Sequence, residues 1–496
     1  MEFCGKISTA LTRNAMRPAV EENGVWRAWN DLKAIGSAID GELAARGLGR
    51  GARIGLVARN HTRHIGVLLG LLSTARTTVM ISSAQKPGAL AKTIEELRLP
   101  AIVADRDDWT DATVAVARSV GTLALAPALG ANGHLEIFCE STDTAKDRPA
   151  MPTPEIAMEI LSSGTTGNPK RIPISWTALQ MAAEDAINNF RQTGQAMRGD
   201  APAPLVQPAP LFNIGGLYPV VPAALEGWPL VLLEKFSVEG WLSKVSRHRP
   251  LVSWLAPASI KSVWDADVPP GALSSLVGLR TGSAALNPDL QREFEAKYGL
   301  AILPAYGATE FCGVVVLWTL EDHAAFAETK RGSTGRARPG VAMRVRDSES
   351  AQPMGPGEMG ILELKIDRIG TDWIRTTDLA SIDEDGFLFL HGRADDAINR
   401  GGFKIMPKSV VDVLRRHPAI SDAAVVGIKD ARLGEVPVAA IELRDREVFD
   451  ETEIRTFLRG YLPSYQIPAK FRVVAQLPRN ASLKVDRSAV RSLFAA

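Results

Sequence analysis

One short segment of the sequence concentrates groups that bind phosphate. Residues 161–170 read LSSGTTGNPK and follow the apolar, strand-like run 156–160. Four side chains offer hydroxyl donors: Ser162, Ser163, Thr165 and Thr166. Gly164 and Gly167 let backbone N–H groups turn inward, and Lys170 supplies a positive charge. The segment therefore predicts a cradle for a nucleoside triphosphate.

The spacing of this segment differs from that of the commoner P-loop. Its glycines stand three residues apart, and two further residues separate the second glycine from Lys170. In a P-loop the glycines are farther apart and the lysine follows the second one directly. A cluster of serine, threonine and glycine is otherwise typical of a surface turn. The interpretation as a cradle therefore depends on what accompanies it in the chain.

Composition and charge exclude several classes of ligand. The 496 residues include 57 basic and 56 acidic side chains, a net charge of +1, without the basic excess of proteins that bind nucleic acid or membrane surfaces. We therefore expect small-molecule ligands. The three cysteines (Cys4, Cys139 and Cys312) form no C-x-x-C pair, which argues against a disulfide framework or a zinc site and favours a reducing cytoplasm.

Two further features of the sequence favour a soluble protein and structural roles for its histidines. The N-terminal residues lack the apolar core of a signal peptide, and the most hydrophobic run, 65–72, is too short to cross a bilayer. None of the seven histidines, including His61 and His64, has an obvious metal partner beside it in the sequence. We interpret them as structural.

Short β-rich runs alternate with helical patterns through about the first 390 residues. Examples are the strand-like run 53–57, a helix near 61–73 and the strand-like run 78–81. This alternation predicts a layered α/β architecture with largely parallel sheets. Ser175 is the expected N-cap of a helix that runs to about Phe190.

The last hundred residues differ in character from the rest. From residue 407 the pattern reads helix 409–416, strands 422–428 and 436–443, helix 451–461 and strand 471–477. This order predicts a compact α+β unit. The preceding segment, 391–396, is a plausible linker.

Four more motifs accompany the cradle in a fixed order. They are YGATE at 306–310, TD at 377–378, GRADD at 392–396 and LPRNASLKVDR around Lys484. Together, the five motifs resemble those of the adenylate-forming superfamily, which comprises acyl-CoA synthetases, adenylation domains of peptide synthetases and beetle luciferases. The resemblance spans essentially the whole chain and is closest to stand-alone acyl-CoA synthetases.

The resemblance implies a two-domain organisation. A large N-terminal domain, residues 1–391, would have a multi-layer α/β fold with a β-rich subdomain. A hinge at 392–396 would join it to a small mobile C-terminal α+β domain, residues 397–496, which acts as a lid.

The same resemblance assigns roles in nucleotide chemistry. The implied nucleotide-binding residues are Ser162, Ser163, Gly164, Thr165, Thr166, Gly167, Gly282, Ser283, Ala284, Tyr306, Gly307, Asp378 and Arg393. Tyr306 would stack on adenine, and Asp378 would accept hydrogen bonds from the ribose hydroxyls. The implied catalytic residues are Lys484, Thr309, Glu310 and Lys170. Glu310 would also bind Mg²⁺, a hard cation that takes carboxylate and phosphate oxygens.

The implied reaction is the ATP-dependent, AMP-forming synthesis of an acyl-CoA. A small carboxylic acid attacks the α-phosphate of ATP, which releases pyrophosphate and leaves an acyl-adenylate; the sulfur of CoA then displaces AMP. Lys484, Lys170 and Mg²⁺ would shield the two anions that must meet. The expected cofactors are thus ATP, Mg²⁺ and CoA.

Further residues are implied in the hinge, the CoA site and the acyl pocket. Asp395 would be the hinge, and Arg400, Gly401, Gly402 and Phe403 would form the loop that admits the pantetheine arm. The implied acyl-pocket residues are Asn213, Gly215, Gly216, Phe311 and Cys312, with Trp254 as a further candidate. Amino-acid activators have aspartate at the position of Asn213, so an α-amino acid substrate is disfavoured.

One departure from the family pattern bears on the first step. Leu483 stands where the family usually has glycine before the C-terminal lysine. Because leucine pays roughly 1–2 kcal/mol to adopt the backbone conformations that glycine allows, the loop with Lys484 could take another path. The chain would then catalyse only the thioester step, from a ready-made acyl-adenylate. Thr377 is a milder departure, because the family normally has glycine there.

Three other functions stay open at this stage. The chain could adenylate an acid and load a separate carrier protein instead of CoA. It could be a non-catalytic adenylate sensor. An oxygenase like luciferase is compatible with the fold, although no residue calls for it. The substrate acid, the oligomeric state and the pathway are not readable from the sequence.

Overall fold

The computed structural model describes residues 2–85, 88–127, 135–140, 152–161, 170–192, 203–445, 447–480 and 483–495. Its helices are α1 (Glu2–Arg13), α2 (Trp29–Ala45), α3 (Thr62–Ser73), α4 (Ala89–Leu97), α5 (Asp111–Ser119), α6 (Trp176–Gln192), α7 (Ile214–Leu217), α8 (Val220–Glu226), α9 (Val238–His248), α10 (Pro257–Asp265), α11 (Pro288–Tyr298), α12 (Leu320–Phe326), α13 (Pro407–Leu414), α14 (Glu451–Arg459) and α15 (Arg487–Ser492).

The strands of the large N-terminal part are β1 (Pro18–Glu22), β2 (Val25–Ala28), β3 (Arg53–Ala58), β4 (Thr77–Ser82), β5 (Ala101–Val103), β6 (Leu123–Pro127), β7 (Leu135–Cys139), β8 (Ile156–Leu161), β9 (Arg171–Ser175), β10 (Leu205–Gln207), β11 (Leu230–Leu232), β12 (Val252–Trp254), β13 (Gly278–Thr281), β14 (Ala301–Ala308), β15 (Gly313–Leu317), β16 (Arg336–Ala337), β17 (Val341–Arg346), β18 (Gly360–Ile366), β19 (Trp373–Ile382) and β20 (Leu388–Arg393). Those of the C-terminal part are β21 (Ile398–Arg400), β22 (Phe403–Ile405), β23 (Ile420–Asp430), β24 (Gly434–Leu443) and β25 (Lys470–Val473).

Two large, mostly parallel sheets form the body of the N-terminal domain. One has the order β7-β6-β5-β3-β4-β8-β9 and the other the order β16-β15-β14-β13-β12-β10-β11-β1-β2. In both sheets the central pairs are parallel and the edge pairs antiparallel, as at β8–β9 and β14–β15. A third sheet, β17-β18-β19-β20, is wholly antiparallel. The predicted α/β fold with a β-rich subdomain is therefore confirmed.

The C-terminal residues form the small α+β domain that the sequence predicts. Its sheet has the order β22-β21-β24-β23, with β25 pairing in parallel with β24. The last strand ends at Val473, opposite Ile441 of β24, and not at Leu477 as predicted. The N–H of Leu477 instead donates to the carboxylate of Glu442 at 2.7 Å.

Apolar side chains from the first three helices and both large sheets form the largest core. Trp29, Leu32 and Ile39 of α2 are buried in it together with Ile65 and Leu68 of α3. Among the described residues, no helix combines the length and the apolar character that crossing a membrane requires.

Helices α2 and α3 approach each other through glycine. A Cβ atom on Gly70 would lie 2.4 Å from the Cα atom of Gly36. We therefore expect Gly70→Ala to destabilise the large domain by roughly 1–3 kcal/mol, since the crowded atoms are backbone and must move apart. Gly41→Ala is the matched control: it lies in α2 with nothing within 4 Å of the added Cβ, and should stabilise by about 1 kcal/mol. Calorimetric melting of both variants checks this, and equal shifts would contradict it.

Candidate active site

Strands β14 and β19 bring Tyr306 and Asp378 together. The phenol O–H of Tyr306 donates to Oδ2 of Asp378 at 2.6 Å. Burial raises the pKa of the Tyr306 phenol, and the Asp378 charge raises it further, so the tyrosine stays a neutral donor. Burial also raises the pKa of Asp378, while the tyrosine hydrogen bond and the Arg393 charge oppose that rise. Asp378 keeps lone pairs that can accept from a ribose.

Arg393 lies directly across from Asp378, because the two residues are register partners in the β19–β20 ladder. Its guanidinium makes a bidentate ion pair with Asp395, with both N···O distances 2.9 Å. Asp395 lies in the single 3₁₀ turn Ala394–Asp396 that follows β20. The predicted linker is therefore partly strand, and its two functional candidates contact each other.

Lys484 of the lid shares this electrostatic environment. Burial lowers the pKa of its ammonium group and the Arg393 charge lowers it further, whereas Glu310 and Asp378 raise it. Arg487 of α15 has its pKa lowered by burial and by Arg393, and it forms an ion pair with Asp396. Three cations thus converge where the lid meets β20, an arrangement that a polyanionic ligand would stabilise.

Hydrogen bonds to Asn480 hold the backbone at Leu483 and Lys484. The N–H of Leu483 donates to the carbonyl of Asn480 at 2.9 Å, and the N–H of Lys484 donates to the Asn480 side chain at 3.1 Å. Leu483 has φ of 60°, which is the left-handed region that glycine adopts freely. Leu483 therefore holds a backbone conformation that glycine would adopt freely at this position.

Because Leu483 holds a strained backbone, Leu483→Gly should stabilise the lid by about 1 kcal/mol and raise the rate of adenylation modestly. Ala351→Gly is the matched control, since Ala351 is an exposed residue at φ of 55° outside the site. It should give a similar gain in melting temperature without a change in rate. A Leu483→Gly variant with a lower melting temperature than the parent would contradict this interpretation.

The YGATE segment is shaped by a close backbone approach. A Cβ on Gly307 would lie 2.3 Å from the carbonyl oxygen of Gly313, so only glycine fits. The turn between β14 and β15 runs from Thr309 to Phe311, and its Glu310 side chain is exposed. An exposed carboxylate beside the nucleotide candidates fits the ligand preference of Mg²⁺.

The small-residue stretch after β13 combines a crowded glycine with two exposed residues. A Cβ on Gly282 would lie 2.9 Å from the carbonyl oxygen of Ala305 and 3.1 Å from the ring of Trp254. Ser283, at φ of 68°, and Ala284 are exposed. These residues border Tyr306 on the neighbouring strand β14, as expected for the side of an adenine site.

The predicted phosphate cradle, Ser162, Ser163, Gly164, Thr165, Thr166 and Gly167, lies outside the described residues. The strands on either side of it are described: Leu161 of β8 pairs with Arg171 of β9. Lys170 is exposed just before β9. The hydroxyl of Ser175 accepts from the N–H of Ala178 at 3.1 Å, which confirms the predicted N-cap of α6.

The loop predicted to admit pantetheine turns through two glycines, Gly401 at φ of 55° and Gly402 at φ of 89°. Arg400 donates to the carbonyl oxygens of Tyr465 and Ile467, at 2.5 and 3.5 Å. Phe403 is 55% exposed and stacks on Tyr465 with ring centroids 4.5 Å apart. The guanidinium of Arg400 thus binds lid backbone, while Phe403 offers an exposed aromatic face.

The candidate acyl-pocket residues divide into open and packed positions. Asn213 is the N-cap residue of α7. A Cβ on Gly215 would meet nothing within 4 Å, whereas one on Gly216 would lie 2.0 Å from the carbonyl of Pro210. Only glycine therefore fits at position 216 without moving the backbone, whereas Gly215 faces open space. Phe311 and Cys312 are buried, and burial raises the pKa of the Cys312 thiol to about 12.

Sequence motifs do not single out two groups of side chains that the fold assembles. His61, His64 and Asp105 place possible ligand atoms within 4.8 Å of one another. However, Nδ1 of His64 accepts from the N–H of Arg59 at 2.8 Å, so in the neutral ring Nε2 carries the proton toward Asp105 and has no lone pair for a metal. This arrangement favours a structural role for the group, which stays a prediction. The second group surrounds Arg280, the one charged residue of the short, buried strand β13.

Comparison with known proteins identifies the family to which this site belongs. The model of the AMP-binding enzyme family matches residues 7–367. The chain belongs to this family. A second model, of the AMP-binding enzyme C-terminal domain, matches residues 410–484. The superfamily predicted from the five motifs is thereby confirmed.

Curated relatives of this AMP-binding enzyme are CoA ligases. It is 29% identical to indoleacetate–CoA ligase of Aromatoleum aromaticum, over 73% of this chain and 72% of that protein. It is 27% identical to sulfoacetate–CoA ligase of Cupriavidus necator, over 90% and 88% of the two chains. The ATP-bound structure of MatB from Rhodopseudomonas palustris has a TM-score of 0.83 at 23% identity and covers 99% of both chains; it shows the shared fold.

These relationships confirm the predicted activity at the level of the reaction. The chain is an AMP-forming acid–thiol ligase that converts a carboxylic acid to its acyl-CoA through an acyl-adenylate, with ATP, Mg²⁺ and CoA.

Proposed function

We propose that this AMP-binding enzyme carries out both half-reactions, with Lys484 acting in the first. The observation that supports this proposal is the position of Lys484, whose charge interacts with Glu310 and Asp378 of the large domain. The alternative, an enzyme that catalyses only the thioester step, depended on a displacement of the loop that carries Lys484. The left-handed backbone of Leu483, the conformation that glycine would adopt there, supports a loop that keeps Lys484 at the site.

In the proposed first step, the chain holds two anions together. The ammonium of Lys484 and the hydroxyl of Thr309 donate to the α-phosphate and to the substrate carboxylate while its oxygen attacks phosphorus and pyrophosphate leaves. Asp378 accepts from the ribose and Tyr306 stacks on adenine. Glu310 would hold Mg²⁺, which when bound neutralises phosphate charge.

In the proposed second step, the lid turns about Asp395 and presents a different face. The CoA sulfur attacks the acyl carbonyl, and the bond to the AMP oxygen breaks. Gly401 and Gly402 leave room for the pantetheine arm, and Phe403 packs against it. The 3₁₀ turn at 394–396 and the Arg393–Asp395 pair are the elements that would rearrange.

The relatives are CoA ligases, so we propose CoA as the acceptor of the acyl group. A carrier-protein thiol is the alternative acceptor. Thioester analysis with CoA and with candidate carriers side by side separates these two. The three cysteines are buried free thiols, which supports a reducing compartment such as the cytoplasm.

The proposal is tested by measuring the half-reactions separately over a panel of carboxylic acids. Pyrophosphate exchange reports adenylation, and thioester formation from synthetic acyl-adenylates reports the second step. We expect at least one acid to support both. Turnover of acyl-adenylates without pyrophosphate exchange for any acid would mean that the enzyme catalyses only thioester formation. No activity in either assay would favour the adenylate sensor.

The pH profile of adenylation should carry the signature of Lys484. Burial and Arg393 lower the pKa of Lys484 from its ordinary value of 10.5, and only the protonated ammonium can stabilise the phosphate. The kcat/KM for ATP in pyrophosphate exchange should therefore fall as pH rises through this lowered pKa, well before a free lysine would titrate. Thioester formation from acyl-adenylate serves as the control and should show no such decline. If kcat/KM for ATP in pyrophosphate exchange stays constant up to pH 10.5, the proposed role of Lys484 is contradicted.

A further inference from the structure

Arg280 occupies an unusual place for a charged side chain. It lies on the central strand β13, with Trp254 of β12 and Leu303 of β14 as its register partners, and it is 2% exposed. It points to the same face of the strand as Gly282, two residues further along, because side chains alternate across a strand. That face borders the adenine and acyl candidates.

The guanidinium of Arg280 is only partly satisfied. Nη2 donates to Oδ1 of Asn189 at 2.7 Å. Nε and Nη1 are buried without a hydrogen-bond partner in the structure as described. Burial lowers the pKa of Arg280 to about 10, so the group is still charged at neutral pH. Buried cationic donors without acceptors are rare because they are costly.

The neighbouring charges do not compensate for Arg280. Arg338 lies near Arg280 and binds Asp185 at 2.5 Å, and Arg368 lies 3.9 Å from the same carboxylate. Burial raises the pKa of the Tyr218 phenol, which therefore stays neutral. Within the described part of the chain, three buried guanidiniums thus share one carboxylate, which leaves an excess of positive charge.

This excess lies beside the candidate acyl pocket. Tyr218 follows α7, the helix that Asn213 begins, and its O–H lies 3.4 Å from Nδ2 of Asn189. A Cβ on Gly313, next to Cys312, would lie 3.4 Å from the Tyr218 ring. Arg280 is therefore enclosed by the segments that hold Gly215, Trp254 and Cys312.

We propose that Arg280 binds a second anionic group at the far end of the acyl substrate, so that the acid ligated by this enzyme carries a terminal carboxylate or sulfonate besides the reacting carboxylate. Arg280 then acts as a specificity-determining residue: its two unused nitrogen atoms form charge-assisted hydrogen bonds to the terminal oxyanion. The inference rests on the proposed function, because the reacting carboxylate must sit near Lys484.

The test measures acid binding to the full-length protein by calorimetry. Linear dicarboxylic acids of increasing length are each compared with their monomethyl ester, which removes only the terminal charge, and with the matching sulfonate-terminated acid. We expect at least one acid with a terminal oxyanion to bind about 10-fold or more tightly than its ester. The carboxylate and sulfonate series decide which oxyanion is preferred. Equal binding of acids and esters at every length, or no binding at all, overturns the inference without any variant.

Variants then assign the effect to Arg280. Arg280→Met should abolish the preference for the anionic acid, and Arg280→Lys should retain part of it, since the charge remains with fewer donors. Arg292→Met, an exposed arginine of α11, is the matched control and should change nothing. The melting temperature of Arg280→Met should be unchanged or higher, because an unsatisfied buried charge is removed. Retention of the preference in Arg280→Met overturns the inference.

Failure of the proposed function gives a different result. If an acid with a terminal oxyanion binds with the expected preference but supports no pyrophosphate exchange, the specificity role of Arg280 stands and the adenylation role of Lys484 falls. If exchange proceeds best with monocarboxylates and Arg280→Met leaves it unchanged, adenylation stands and the specificity role falls.

Discussion

Replacing Lys484 with methionine should lower the rate of pyrophosphate exchange by at least about 100-fold. The ammonium group is the lid's cation beside Glu310 and Asp378, and methionine of similar length offers neither charge nor donor when negative charge develops on the phosphate. Because we propose that Lys484 acts in the first step only, thioester formation from a synthetic acyl-adenylate should stay within a few-fold of the parent rate.

The control for this experiment is Lys470→Met, an exposed lysine on β25 of the same domain, which should leave both half-reactions unchanged. Equal loss of both half-reactions in Lys484→Met would mean that the lid had been damaged. A Lys484→Met enzyme with normal exchange would contradict the role assigned to this lysine.

Asp378→Ala should weaken ATP binding by about 10- to 100-fold, since hydrogen bonds to a charged group contribute roughly 1.5–3 kcal/mol. The variant also removes the acceptor of the Tyr306 O–H, which lies 2.6 Å from the carboxylate, and so frees the ring that would stack on adenine. Calorimetric titration with ATP measures the change directly.

Two further variants sharpen the Asp378 experiment. Tyr306→Phe keeps the ring and the carboxylate but removes their hydrogen bond, so its effect on ATP affinity should be smaller. Asp372→Ala, an exposed residue just before β19, should have no effect. Unaltered ATP affinity in Asp378→Ala would show that the ribose lies elsewhere.

The sequence predicts most of the fold, since the elements depend on local patterns. The helix near 61–73 is found at Thr62–Ser73, the strand at 53–57 is found at Arg53–Ala58, and the helix after Ser175 ends at Gln192. Where a prediction fails, a tertiary partner is responsible. The strand expected to reach Leu477 ends at Val473, and the N–H of Leu477 donates to the Glu442 side chain instead of continuing the ladder.

The site is predicted less completely than the fold. The motifs indicate Tyr306, Asp378 and Lys484 as residues of one nucleotide site, and these three do lie together. The ion pairs of Arg393 with Asp395 and of Arg487 with Asp396 are not readable from any motif. They depend on how the lid packs against the end of β20.

By itself, the sequence determines the reaction class of this protein, because the order of its motifs indicates the family, and it predicts a phosphate cradle, a ribose acceptor and a distant cation from residue types alone. The tertiary structure alone decides two further matters. It shows that Leu483 has a left-handed backbone conformation. It also shows that Arg280 is buried with unused donors, because hydrogen-bond satisfaction depends on neighbours that strand register and helix packing bring together from distant parts of the chain.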